Sequence, residues 1–141
     1  MASRCSPLYT TEILRLAAAL AEPHALEPEH GRAEARSPTC GSRIATAVQL
    51  DEDGRISALS QQVHACAFGQ ASAALVEQKA LGRSSAEVEA AAAQLGAWLS
   101  GEAPEPGWGL AALAPARTRT ARHGAILLPF RALIAAMAAA Q

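Results

Sequence analysis

The sequence predicts an α+β domain, a three-stranded antiparallel sheet packed with helices, and three observations lead to it. Residues 44–50 and 56–60 alternate apolar with other residues on either side of Asp51-Glu52-Asp53-Gly54, and an Asp-Gly turn between two such runs signals a hairpin. The stretches before and after this region instead carry apolar residues at helical spacing, with alanine, the best helix former, as filler. Strands and helices are therefore segregated along the chain rather than alternating, which favours α+β over a parallel βαβ arrangement.

Each element has its own signal. Residues 10–21 carry Ile13, Leu14, Leu16, Ala17 and Leu20 at helical spacing, with Thr10 or Thr11 as N-cap and Pro23 as the stop. A polar turn region follows over 22–31. Residues 32–36 can add an edge strand, ended by Pro38. In the hairpin, Ile44, Thr46, Val48 and Leu50 alternate, and Ile56, Ala58 and Ser60 resume the alternation after the turn. An alanine-rich helix is expected over 66–81, with Gly82 closing it. Ser84 with Glu87 three residues on forms a capping box that opens a helix running to about Leu99. Residues 100–109 are a loop dense in Pro and Gly, and 110–114 suit a short helical turn. The last helix is expected over 123–140, with Pro129 kinking it or delaying its start.

The 141 residues suit one domain spanning 1–141, with 1–8 expected to be disordered. Aromatic residues are only 4%, so the core has to be built from Leu, Ile, Val and Ala. A formal net charge of −1 leaves no electrostatic footprint for nucleic acid or an acidic membrane surface. The N-terminus lacks the apolar run of a secretory signal, and residues 125–140 fall short of a bilayer span, so a cytoplasmic protein is expected. Cys5, Cys40 and Cys66 are an odd number, which points away from a disulfide framework and toward metal or thiol chemistry.

Cys40 lies in Ser37-Pro38-Thr39-Cys40-Gly41-Ser42, a loop shaped by Pro38 and Gly41. Cys66 lies where the second hairpin strand hands over to the alanine-rich helix. Unpaired N–H groups and the positive dipole end at a helix N-terminus favour thiolate, the form that binds metal and attacks sulfur. If the hairpin forms, both cysteines reach the same end of the sheet. Against this, free cysteine is often only a small buried hydrophobe, and two isolated cysteines are a weak signal by spacing. His64 stands two residues before Cys66, which on a strand puts both side chains on one face. A solvated strand histidine is the plainer reading of it. His24, His30 and Cys5 read as solvent-facing or terminal. Arg117, Arg119 and Arg122 form a basic run before the last helix, and Trp98 and Trp108 read as core anchors.

LYTTEILRLAAAL, SPTCG, the Asp-Gly hairpin, ACAFGQASAALVE and RHGAILLPFRALIAAM together resemble the NifU N-terminal, IscU and SufU family of iron–sulfur scaffolds, over nearly the whole chain. Cys40 and Gly41 match that family's Cys-Gly-Asp loop. Cys66, Ala71 and Ser72 match its second cysteine motif, and His123 matches the histidine before its third cysteine. Ser42 replaces the family's aspartate, and Gly124 stands at the position of the third cysteine.

The resemblance implies an IscU/SufU-like fold and a scaffold or sulfur acceptor that is not strictly an enzyme. Cys40, Cys66 and His123 would bind iron, a [2Fe–2S] cluster or zinc, with His64 or Ser42 as auxiliaries. The implied partners are a PLP-dependent cysteine desulfurase and apo iron–sulfur acceptor proteins; a homodimer could supply a missing ligand. The alternative is a degenerate docking module that has lost its metal site and binds or regulates a desulfurase. A third reading, a redox pair of Cys40 and Cys66, needs Cα atoms within ~7 Å.

Overall fold

The computed structural model describes residues 10–38 and 41–140. It contains α1 (Thr11–Ala18), β1 (Gly31–Arg36), β2 (Arg43–Leu50), β3 (Ile56–His64), α2 (Ala67–Lys79), α3 (Ser85–Leu99) and α4 (His123–Ala139). Two 3-10 segments, Leu110–Ala116 and Thr120–Arg122, precede α4. The segment 1–8 lies outside the described residues, and so do Cys5 and Cys40.

The three strands form one antiparallel sheet in the order β1-β2-β3, as expected. Its pleat sorts the residues into two faces. Gly31, Val48 and Leu59 form one cross-strand row, Ala33, Thr46 and Gln61 the next, and Ala35, Ile44 and Val63 the third. These rows face the helices and contribute to the core. The alternation after the turn differs from the sequence reading. A bulge sits between the pairs Gln49↔Ala58 and Leu50↔Ile56, leaving Ser57 as the extra residue. Ile56 therefore shares the buried face with Leu59, Gln61 and Val63, whereas Ala58 and Ser60 point to the other face.

The helices cover the inner face. α4 lies along β1 and β2, and α2 packs on β3, α1 and α4. α4 has a defined direction over the sheet. Leu128 and Ala132 cluster with Ile44, while Ala136 and Ala140 lie against Gly31. Its N-terminus therefore projects past the end of the sheet where β1 turns into β2. Pro129 is buried and does not delay this helix, which is continuous from His123. What proline removes is one N–H, so the carbonyl of Ala125, four residues earlier, loses its intrahelical partner. Together with the 3-10 turn before it, the stretch Thr120–Ala139 is 20 residues long, enough by length and composition to cross a membrane. Half of its most apolar 18-residue window is buried, as in a core helix.

Local signals account for most boundaries. Thr10 Oγ1 accepts from the Ile13 N–H at 3.1 Å, which starts α1. α2 ends at Lys79 with Ala80 as its cap, two residues before Gly82. Gly82 has φ +84, donates to the Ile56 carbonyl, and with Arg83 ties this turn to the start of β3. The capping box at α3 is complete: Ser84 Oγ accepts from the Glu87 N–H, and Glu87 accepts from the Ser84 N–H at 3.0 Å. Arg55 also donates to Glu87 at 2.7 Å. The Ser84 N–H first, and Arg55 second, hold the Glu87 carboxyl below the usual carboxylate range. Ser84→Ala is expected to cost about 1 kcal/mol, read as a lower urea midpoint with an unchanged slope. An unchanged midpoint would show that the box is not a source of stability.

Both tryptophans pack as anchors. Trp98 is buried beneath the Arg117 guanidinium, which lies 4.9 Å from the ring and donates Nε to the Trp98 carbonyl. Trp108 is half-buried, 5.3 Å from the Phe130 ring and 5.4 Å from the Arg83 guanidinium. Arg117 is thus committed to the core side, leaving Arg119 exposed and Arg122 half-buried at the start of α4.

Candidate metal and sulfur site

Three elements converge at one end of the sheet. The first is the β1–β2 connection. Ser37 N–H donates to the Ser42 carbonyl at 2.9 Å and Gly41 N–H to the Ser37 carbonyl at 3.0 Å, so the loop leaves and re-enters the sheet at adjacent points. Gly41 has φ +71, a left-handed conformation that costs glycine nothing and other residues appreciably. Cys40 belongs to this loop by connectivity and lies outside the described residues. Ser42 is buried.

The second element is the start of α2. β3 pairs as far as His64, opposite Arg43, and Cys66 is the N-cap of α2 in extended conformation. Cys66 is a free thiol, half-buried, and packs against the edge of the core. Its side chain makes no cap hydrogen bond, and the first turn of α2 holds no acidic residue. The helix N–H groups thus have no carboxylate in that turn competing with the thiol for their dipole.

The third is the start of α4. Gly69, in the first turn of α2, lies against the first turn of α4: a Cβ added there would sit 3.3 Å from the Ala125 carbonyl and 2.7 Å from the Ala65 Cβ. One turn on, Ser72 Oγ donates to the Ile126 carbonyl at 2.7 Å, fully buried. These contacts register the two helices, so Cys66, His123 and Gly124 all belong to the same end of the α2–α4 pair. The close approach depends on two sequence features. Gly69 has no side chain, and Pro129 cannot bond the Ala125 carbonyl.

His123 is held in one tautomer. Its Nε2 lies 3.0 Å from the Ala116 carbonyl and 3.2 Å from that of Arg117. Carbonyl oxygens only accept, so Nε2 carries the proton, and the neutral ring has its lone pair at Nδ1. Donation of one ring N–H to a backbone carbonyl is how metal-binding histidines are usually oriented.

His64 is placed differently from the sequence reading. It is exposed at the end of β3 on the sheet's helix-free face, whereas Cys66 has already turned onto the helix and packs against the core. The period-two argument that aligned them stops where the strand does. Among the described residues no three His, Cys, Asp or Glu side chains cluster closely enough to hold a metal. His24 and His30 are exposed: the backbone N–H of His24 donates to Ser60 Oγ while its ring Nδ1 lies 3.4 Å from the Glu22 carbonyl, and His30 Nδ1 accepts from the Leu50 N–H. Sequence reasoning missed Gly69, whose only signal was a glycine inside a helical pattern. It also missed the row Arg36, Arg43 and His64, visible only once the register is known.

Comparison with solved structures decides which fold this is. The chain superposes with a TM-score of 0.84 on a nitrogen-fixing NifU-like protein (N-terminal) from Brucella abortus, at 27% identity, covering 93% of this chain and 92% of that one. The chain has the NifU N-terminal fold. A putative iron–sulfur cluster assembly scaffold protein for the SUF system from Fervidobacterium islandicum AW-1 shares the fold at a TM-score of 0.80 and 18% identity, covering 92% and 96% of the two chains. A hypothetical protein aligns at a TM-score of 0.72 and 24% identity, over 90% and 96%. Neither a family model nor a curated protein matches the sequence. The NifU-type fold is thus retained over nearly all of the chain at low sequence identity.

Proposed function

We propose that this NifU-type chain is an iron–sulfur assembly scaffold or sulfur acceptor, with Cys40, Cys66 and His123 as its donor set. The observation that carries the reading is the convergence of the 37–42 loop, the N-terminus of α2 and the N-terminus of α4 at one end of the sheet. The described donors suit the task. Cys66 sits at a helix start, and the His123 tautomer leaves Nδ1 as the metal-binding nitrogen. Two thiolates and an imidazole suit iron or zinc, with a fourth position open to Ser42, solvent or a partner's group. Cargo iron or a [2Fe–2S] cluster would be held there on its way to an apo-protein.

Sulfur would arrive by thiol exchange with a PLP-dependent cysteine desulfurase. The Cys66 or Cys40 thiolate attacks the outer sulfur of the donor's persulfide, a new S–S bond forms on this chain, and the donor leaves as thiolate. One S–S bond replaces another, so no external oxidant is needed. Cys40→Ala and Cys66→Ala are each expected to lower cysteine-dependent iron, zinc and persulfide to near background. Anaerobic iron–sulfide reconstitution, metal analysis and intact-mass detection of an added sulfur measure this. Wild-type protein that acquires none of the three would overturn the reading and leave the docking-module alternative.

A further inference from the structure

The helix-free face of the sheet carries positive charge that is only partly compensated among the described residues. Arg36, Arg43 and His64 are cross-strand partners in the last row of the sheet, and all three are exposed. The two arginines, directly opposite one another on β1 and β2, repel. Arg36 is relieved by Glu34 at 3.0 Å. Arg43 has no ion pair among the described residues. The segment 20–30 reaches the other half of this face, where the His24 backbone N–H donates to Ser60 Oγ and Pro23, His24 and Ala25 line a concavity together with Ala45, Ser60 and Gln62. The half nearest the cysteine end stays open as a concavity of about 280 Å³, lined by Glu34, Arg36, Arg43, Ala45, Gln62 and His64.

The geometry points to this patch as a docking surface for an acidic segment of a partner protein, its carboxylates seated against Arg43, His64 and Arg36. Shape favours a protein segment over a small anion. The row crosses three strands, roughly 10 Å at the usual strand spacing, and lies open on a surface rather than closing around one group. Position favours a partner that acts on the thiols. Arg36 and Arg43 flank the 37–42 loop, and His64 is two residues from Cys66, so a protein held here is held beside the cysteine end. Identifying that partner as the sulfur donor rests on the function proposed above; the preference of the patch for carboxylates does not.

The test uses the full chain, a fluorescein-labelled hexaglutamate peptide and a PLP-dependent cysteine desulfurase. Arg43→Glu is compared with Arg131→Glu, an equal charge change at an exposed position on α4. Arg43→Glu is expected to weaken binding of both peptide and desulfurase by about tenfold or more and to steepen neither with salt, while Arg131→Glu leaves both near wild type. Equal weakening by the two variants, or none by Arg43→Glu, overturns the proposal. Displacement of the peptide by an equal concentration of inorganic phosphate overturns it in favour of a small-anion site. If the wild type accepts sulfur and Arg43→Glu accepts it at the same rate, the patch fails and the scaffold reading stands. If the wild type binds peptide through Arg43 yet accepts no sulfur, the carboxylate dock stands and the sulfur-acceptor reading fails.

Discussion

Gly31→Val is expected to cost about 3 kcal/mol or more, a large fraction of the usual stability margin of about 5–15 kcal/mol. Gly31 is the first residue of β1, fully enclosed beneath the C-terminal turn of α4. A Cβ placed there falls on the Ala136 carbonyl and lies 2.9 Å from both the backbone nitrogen and the Cβ of Ala140. The obstacles are mostly helix backbone, which cannot rotate aside as a side chain does. α4 would have to lift from β1, uncovering Ala33 and the apolar cluster of Ile44, Leu128 and Ala132. Gly31→Ala should show the same effect in smaller measure. Urea unfolding followed by far-UV circular dichroism measures both; a midpoint within error of wild type would show that this contact does not hold the helix.

His123→Ala is expected to lower the affinity for zinc or iron by more than the ~10–100-fold that changes outside the ligand set produce. The ring is proposed as a ligand through Nδ1, and the same ring ties Ala116 and Arg117 to the start of α4 through Nε2. The variant therefore removes a donor and loosens the loop before the helix. Two readouts separate these effects. Chelator competition gives metal affinity, and nitrogen-15 chemical shifts of the wild-type ring report whether Nε2 carries the proton and whether Nδ1 shifts on metal addition. Undiminished metal affinity in His123→Ala, or a ring protonated at Nδ1, would remove His123 from the donor set.

The elements of the fold were legible wherever the cue was local. Thr10, Ser84 with Glu87, and the Asp51–Gly54 turn each specify a boundary through hydrogen bonds made within a few residues. The cues that misled depended on distant partners. Ile56, Ala58 and Ser60 look alternately placed, yet the bulge at Ser57 shifts their phase because Leu59 has to pair with Val48. Pro129 suggests a late start for the last helix, but the helix begins at His123, the proline ring is buried and the freed Ala125 carbonyl faces the first turn of α2. The same division runs through the site. Cys66 at a helix start could be read from the chain, whereas the separation of His64 from Cys66 follows from where β3 stops pairing.

Periodicity, caps and turn residues act over a few positions, so the chain alone specifies the fold class, the order of its elements and the residue types able to bind metal or sulfur. The packed structure was needed to bring the start of α4 to the end of the sheet that holds the β1–β2 connection and the start of α2. It also decided that Arg36, Arg43 and His64 form one row. Those placements depend on strand register and on how closely Gly31 and Gly69 let helices approach, and both are contacts between residues far apart in the chain.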